Sequence, residues 1–519
     1  MNKIKTDGLP HPNPRMGQAR RCVAGLVLTV ACQCALAQAM YQIKPLGYLG
    51  GCTTSAPTAV GLNNLDQVAG TACNAHGDTH AFLWRNDGKP MVDLGPSDVG
   101  STSKAVAINA SGLVGGNATD SSGNFAFESS GGTAGMKRIG LGGRSVQFTA
   151  MNDLGQLAGA GTTTGIGRDH LFLWANDGTG PKDLGELPDD YGYASAINAA
   201  GQIAGYASDV QGGAYAFVWK NDGSPVLNLG DFGGTNSGAC CINSRGEVAG
   251  SSSLSGRNQQ HAFVWRDDGK GMIDLGTLPH GSQSVAYALN ELGQVVGSSF
   301  VRYYANERAV EWMNNGTPMK DLGTLGGNTS RATAINASGE ATGWAALAGD
   351  SAQHAFLWRN DGTKMQDMNA LVDSTDPLRP YITLTGGTYI NDHGDVLAQG
   401  TDSRTAQSGL YLLQGTVLTL SPRSLAFGNQ KIHTASAAKT ATVTNTSGKA
   451  VAITSIALAG TAAGQFASTN NCGSSLAGHA TCTIKMTFKP TAKGAKSAFV
   501  NVNGGGAGLR SVSLTGTGT

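Results

Sequence analysis

The sequence predicts an all-β protein whose larger part is a β-propeller of eight four-stranded blades, and three observations carry that prediction. Between residues 46 and 413 one phrase recurs, with substitutions, in eight units: an Asn with Gly three places on, then His-Ala-Phe-x-Trp, then Asp-Leu-Gly. The Asn stands at Asn63, Asn109, Asn152, Asn198, Asn243, Asn290, Asn336 and Asn391, a step of about 46 residues that marks a repeat array. Glycine is abundant, 76 of 519 residues against 16 Pro and 14 % charged residues, as many short strands and tight turns require. Helical periodicity is nearly absent between the turns.

Residues 1–37 read as a secretory signal peptide. A basic stretch (Lys3, Lys5, Arg15, Arg20, Arg21) precedes the apolar run 22–36 and the small-residue site Ala35-Leu36-Ala37. A lipoprotein reading of Cys32 is weaker, because the apolar run continues past it to a better cleavage site. The mature protein is expected to begin near Gln38, exported to the cell surface, the periplasm or the medium. No later stretch approaches the ~18 apolar residues of a membrane span. The formal net charge of +1 falls slightly negative without the leader, 31 basic to 34 acidic residues. With no Lys/Arg clusters, a nucleic-acid or anionic-membrane partner is excluded.

Residues 38–416 form the predicted propeller, and residues 282–323 show the physics of one unit. Val285 to Leu289 alternates small and large side chains, and Asn290-Glu291-Leu292-Gly293 suits a type I turn. Gln294 to Gly297 returns, Arg308 to Trp312 makes a third strand, Asn315-Gly316 turns the chain again, and Met319 to Leu322 is the fourth. Four antiparallel strands cannot bury both faces alone and must stack on neighbours. Small Ala and Gly positions are expected near the crowded axis. Phe and Trp of the His-Ala-Phe-x-Trp phrase are expected between blades. The second unit has Phe125-Ala126-Phe127-Glu128-Ser129 in place of that phrase and is expected to be the loosest. Residues 41–47 resemble a fourth strand standing before the first complete set, so the N-terminal segment is expected to complete the last blade and remove its open edge. Eight is the direct blade count, with seven plus a stray unit as the alternative.

In such a blade the first and third turns lie on one face, and the second turn and the inter-blade link on the other. The first and third turns are uniform (Asn-x-x-Gly, and Asp-Gly as at Asp87-Gly88 and Asp268-Gly269), whereas the second turns and links vary freely. Variation confined to one face of a repeated scaffold is where binding is usually housed. The ligand-binding candidates there are Tyr191, Tyr193, Arg257, Tyr303, Tyr304, Trp344, Arg379 and Tyr381, with residues 370–386 the largest departure from the period.

His80, His170, His261 and His354 recur at equivalent places, but Phe125, Tyr215, Arg308 and Gly409 fill the others, so a metal ring is poor coordination chemistry. A His bonded to a turn, or to the Asp of the Asp-Leu-Gly strand end, is the favoured reading. The Asp series (Asp93, Asp183, Asp274, Asp321, Asp367) serves every blade alike, unlike a catalytic constellation. No catalytic residue, metal or cofactor is expected. Six cysteines follow the leader. Cys52 with Cys73, and Cys472 with Cys482, are the disulfide candidates. Cys240 and Cys241 are expected to be two small buried thiols, because strand neighbours point to opposite faces.

Beyond residue 417 the rhythm stops. Alternating strand-like runs separated by Gly, Ser, Asn and Pro fill residues 417–519, which suggests an immunoglobulin-like sandwich. These residues also carry resemblances. Residues 41–413 resemble the secreted bacterial HAF-repeat proteins, with Asp-Leu-Gly-x-Leu-Gly-Gly, Ala-x-x-Asn-x-x-Gly-x-Val-x-Gly and His-Ala-Phe-x-Trp matched in most units. Residues 418–518 resemble the choice-of-anchor D type of immunoglobulin-like domain, through Ser421-Pro422, Phe427-Gly428, Asn471-Cys472-Gly473 and Cys482-Thr483-Ile484. The resemblance implies an extracellular, non-enzymatic protein. Release or retention through a partner is expected over covalent anchoring, because no sorting motif or apolar tail follows.

The expected function is an exported scaffold, monomeric, that binds an extracellular glycan or protein through the variable face. A polysaccharide-active enzyme at the channel mouth and a purely structural envelope component are the rivals.

Overall fold

The computed structural model describes residues 41–519, apart from Thr54 and residues 132–134, 141–144, 164–167, 188–190, 209–212, 257–258, 302–305, 314–316, 361, 375, 416–417, 446–449, 479 and 505–508. The signal-peptide residues lie outside these.

Each repeat folds as an antiparallel, up-and-down sheet of four strands. In the sixth these are Ser284–Leu289, Gln294–Phe300, Glu307–Met313 and Lys320–Gly323, paired in that order. The fourth and fifth sheets are also joined by one parallel bridge, Ala214 to Asn236. The eighth sheet takes three strands from its own repeat, Ile382–Ile390, Val396–Asp402 and Gln407–Gly415. Its fourth strand is Tyr41–Pro45, antiparallel to Gln407–Gly415 from Tyr41 opposite Gly415 to Pro45 opposite Tyr411. The insertion after the seventh sheet holds the short helix Met368–Leu371, whose first turn is capped by Asp367.

Eight separate apolar cores lie between the sheets. Ala204, Val218 and Leu229 of the fourth sheet, for example, meet Val248, Phe263 and Trp265 of the fifth. A core of the same kind joins the first sheet to the eighth, where Phe82 and Trp84 pack with Leu397, Leu410 and Leu412. Burying one Phe side chain contributes about 1.5–3 kcal/mol, so these interfaces outweigh any single hydrogen bond.

The Asn of each first turn performs two tasks at once. Its carboxamide oxygen accepts from the backbone N–H groups two and four residues on, as Asn290 does from Leu292 (3.0 Å) and Gln294 (3.0 Å). Its Nδ2 donates to a backbone carbonyl of the next sheet's turn: Asn152 to Asn198 (2.9 Å), Asn198 to Asn243 (2.9 Å), Asn290 to Asn336 (3.0 Å), Asn336 to Asn391 (3.0 Å). Asn109 reaches Asp153 instead (3.4 Å), and Asn391 of the eighth sheet donates to Asn63 of the first (3.3 Å).

Each first strand carries a β-bulge near its middle, which the repeat pattern does not announce. It falls between Ala59 and Gly61, Ala105 and Ala107, Ala194 and Ala196, Ala239 and Cys241, and Ala332 and Ala334, and at equivalent places in the other sheets. The bulge explains the small residue of the second strand. A Cβ on Gly250 would lie 2.1 Å from the carbonyl oxygen of Gly238 and 2.7 Å from the Phe263 ring. Gly70, Gly116 and Gly205 are in the same position. Crowding between the carbonyl just before the bulge and the Phe ring therefore selects Gly here.

The bulge also corrects the reading of Cys240 and Cys241, which are bonded to each other. Strict alternation would separate them, but the unpaired bulge residue Cys240 breaks the alternation and lets both sulfurs meet. Cys52 is bonded to Cys73 and Cys472 to Cys482, as the spacing suggested.

Residues 418–519 form two further sheets of four strands. One orders Leu418–Ser421, Lys439–Asn445, Thr481–Phe488 and Phe466–Asn470, and the other Ser424–Gln430, Leu509–Gly518, Gly494–Asn503 and Ser455–Ala459. Both contribute to one core, with Val443, Ile484 and Met486 from the first and Val500, Val512 and Leu514 from the second. No helix among the described residues is long and apolar enough to cross a membrane.

Candidate functional site

Of the described candidates, Tyr191, Tyr193, Arg379 and Tyr381 lie at or before the start of a first strand and Trp344 lies midway along a second strand, and they fall into three groups. Tyr191 and Tyr193 begin the first strand of the fourth sheet, opposite Ser208 and Tyr206 of the second strand. Their side chains point outward, at 54 % and 36 % exposure, although large apolar surface is normally covered. Tyr193 stacks on Tyr206, with ring centroids 5.5 Å apart and planes inclined by 20°. Burial, then the neighbouring phenols of Tyr191 and Tyr193, pushes the Tyr206 hydroxyl up from its ordinary pKa, so it stays a protonated donor. Beside Tyr206 lies a wide-open cleft of about 300 Å³ whose lining includes Asn236, Cys240 and Gln260.

Trp344 is half-buried in the second strand of the seventh sheet. Arg331 lies 5.6 Å from its ring and 5.2 Å from that of Tyr287, held by Glu307 through two hydrogen bonds of 2.7 and 2.9 Å. That ion pair raises the Arg331 pKa further and fixes its guanidinium as a spacer between aromatic rings. Arg379 and Tyr381 belong to the eighth sheet's insertion. Arg379 is exposed beside His354 in a cleft of about 210 Å³. Tyr381, at 42 % exposure, has Arg404 over its ring at 4.7 Å, and Arg404 is paired with Asp402. Arg257, Tyr303 and Tyr304 lie outside the described residues.

Tyr206 was legible and was missed. It occupies the position after Ile203-Ala204-Gly205 that Trp344 occupies after Ala341-Thr342-Gly343, so repeat alignment alone marks it. The recurring histidines pair with the recurring aspartates: His80 Nδ1 with Asp93 (2.8 Å), His170 with Asp183 (2.9 Å), His261 with Asp274 (2.9 Å) and His354 with Asp367 (2.8 Å). In the sixth sheet Arg308 replaces His and meets Asp321 at 3.2 Å.

A second cluster, on the opposite face, was not visible in the sequence. Asp66 stands where the other seven first turns have Gly, and keeps the left-handed backbone (φ 60°) of that position. It faces His393 and Asp395 of the eighth sheet's turn, all three buried, with potential ligand atoms within 4.8 Å of one another. The cation between the carboxylates is the Arg423 guanidinium from residues 417–519. Its Nη1 donates to Asp66 (3.0 and 3.1 Å) and to Asp395. Asn391 (3.0 Å) and Gln414 (2.6 Å) also donate to Asp66, and the Gly415 N–H to Asp395 (2.9 Å). Arg510 donates to the His393 carbonyl (3.2 Å). Arg423 already stands between the two carboxylates, so a divalent ion added here would meet its buried guanidinium charge. Arg423 and Arg510 holding Asp395 keep it ionised, while burial and the charge of Asp395 raise Asp66 to about 7. Burial lowers His393 to about 4, with Arg423 adding to the effect. The cluster is a latch that fixes residues 417–519 to the first-turn side of the first and eighth sheets.

No protein-family model matches this chain, and neither does any curated protein sequence. Among solved structures it is similar to the β-propeller domain of the Trilobed protease from Pyrococcus furiosus, at 10% identity over 64% of this chain and 100% of that one, with a TM-score of 0.39. It is similar to TolB from Acinetobacter baumannii at 10% identity over 65% of this chain and 77% of that one, TM-score 0.31. A third similarity, to an ASH / PapD-like domain of human CEP192, has 16% identity over 20% of this chain and 86% of that one, TM-score 0.17.

Proposed function

We propose that the chain is an exported, non-enzymatic scaffold of the HAF-repeat type. Its eight sheets are the blades of a closed β-propeller, followed by an immunoglobulin-like sandwich, and it binds a glycan through the face bearing Tyr191, Tyr193 and Tyr206. The observation that carries this reading is the stacked Tyr193–Tyr206 pair beside a cleft whose lining includes Asn236 and Gln260. A sugar ring presents an apolar C–H face that an aromatic ring covers and hydroxyls that carboxamides bind. Both partners of the stack sit on strands, so little ordering is lost on binding.

A glycan array probed with residues 38–519 tests it, alongside Tyr191→Ala and Tyr193→Ala. One lost stacking contact costs about 0.5–1.5 kcal/mol, so each variant is expected to bind a retained glycan roughly 2- to 10-fold more weakly. Undiminished binding in both removes this face from the account. Turnover of a polysaccharide in place of retention transfers the function to the enzyme reading.

A further inference from the structure

The Cys240–Cys241 bond cannot be explained by stability. A disulfide restrains the unfolded chain by closing a loop, as Cys52–Cys73 does across 21 residues, but a bond between neighbours closes almost none. Its surroundings are those of a working surface. Cys240 lines the cleft next to Tyr206. Cys241 Sγ lies 3.8 Å from the carbonyl oxygen of Tyr287 in the next sheet, and the Tyr287 ring supports Arg331 and, beyond it, Trp344.

In the third and seventh sheets the bulge position equivalent to Cys240 is a threonine that bonds the next sheet. Thr149 Oγ1 donates to the Ala194 carbonyl, and Thr333 Oγ1 to the Gly387 carbonyl at 2.8 Å. In the fifth sheet Cys240 stands there instead and is bonded within its own strand, to Cys241. Both of its cysteines are half-buried, whereas Cys472 and Cys482 are both buried and half-buried Cys52 is bonded to buried Cys73. Exposed disulfides are the ones that exchange.

We propose that Cys240–Cys241 is a thiol–disulfide exchange site for a dithiol, and that its redox state sets the shape of the cleft wall beside Tyr206. A thiolate of the dithiol attacks Cys240 Sγ and the bond to Cys241 breaks. Cys241 leaves as thiolate and takes a proton. The second thiol of the reductant then attacks the mixed disulfide, releasing Cys240 as a thiol and the reductant as a cyclic disulfide. The protein gains two electrons and two protons, and the dithiol loses them. Reduction frees the bulge, so the wall presented to a ligand relaxes. The consequence for binding rests on the glycan reading above, but the exchange itself does not.

The test is a dithiothreitol titration of residues 38–519, with differential alkylation and mass spectrometry of each cysteine pair. Hydrogen exchange is followed over Gly233–Ile242 and Ile203–Ser208. Cys240–Cys241 is expected to open at dithiol levels that leave the other two bridges closed. Exchange in both strands is expected to rise about tenfold, and a Cys240→Ser/Cys241→Ser variant to reproduce that rise without reductant. A glycan retained on the array is expected to bind about tenfold more weakly in both reduced forms. Free thiols at both positions in the oxidised protein, opening of all three bridges together, or unchanged exchange would each overturn the proposal. An empty array with the expected titration would instead overturn the glycan reading alone.

Discussion

Replacing Asn290 tests the hydrogen-bond logic of the repeat most sharply, because this side chain is 5 % exposed and makes four bonds. Its oxygen accepts from Leu292 and Gln294 within the turn, and its Nδ2 donates to Gln294 Oε1 (2.7 Å) and to the Asn336 carbonyl of the next sheet (3.0 Å). A buried bond contributes about 1 kcal/mol net, and an orphaned partner costs more. The exposed Leu292 turn can bond water, so Asn290→Ala is expected to lose roughly 3 kcal/mol. Asn290→Asp separates the two roles. It keeps both acceptor bonds of the turn but removes the donor to the next sheet, and sets a carboxylate against the Gln294 and Asn336 oxygens. If the link between sheets contributes as argued, Asn290→Asp loses at least about 2 kcal/mol. Urea unfolding followed by tryptophan fluorescence reads both variants. An Asp variant as stable as the parent would show that the Asn serves its own turn only, and the inter-sheet argument would fall.

Arg423→Met leaves Asp66 and Asp395 buried without their cation. It is expected to cost about 3–5 kcal/mol at the latch and to make residues 416–424 sensitive to limited proteolysis; a resistant variant contradicts the latch. The same cluster sets opposed pH dependences. With His393 lowered to about 4 from 6.5, the unfolded chain binds its proton more readily, so that contribution to stability rises with pH between about 4 and 6.5. With Asp66 raised to about 7 from 3.8, the folded chain holds its proton longer, so that contribution is present at low pH and lost as pH rises from about 4 to 7. His393→Asn is expected to unmask the second slope, stability falling over that window relative to the parent; parallel profiles would refute the assignment. Gly250→Ala drives a methyl into the Gly238 carbonyl and the Phe263 ring, and is expected to destabilise by about 1–3 kcal/mol, with a lower thermal midpoint as the readout. A neutral Gly250→Ala would mean that the bulge yields freely.

Much of this architecture was legible because it is written locally and eight times over. Asn-x-x-Gly fixes a turn within five residues, the His and Asp of four units meet across adjacent strands, and Tyr41 to Pro45 carries the pattern of a missing fourth strand. What stayed hidden depends on departures from regular strands or on distant parts of the chain. The Cys240–Cys241 bond follows from a bulge, which alternation of side chains cannot show. The latch gathers Asp66, Asp395 and Arg423, and only the folded order of sheets makes them neighbours. Of the candidate site, Tyr191 and Tyr193 are named by the sequence pattern, but Tyr206, which stacks on Tyr193, is not. Tyr206 looks like a strand filler until it is aligned with Trp344.

The central claim is that the first and last repeats meet through the N-terminal strand. Gln42 and Gln414 are paired across it, and antiparallel partners bring Cα atoms to about 4.5–5.5 Å, within reach of a disulfide. A Gln42→Cys/Gln414→Cys variant of residues 38–519, oxidised at low protein concentration, is therefore expected to give a monomer with one additional intramolecular bridge joining those two positions in peptide mapping. Cysteines that stay reduced, or that link only between molecules, would contradict the joined ends.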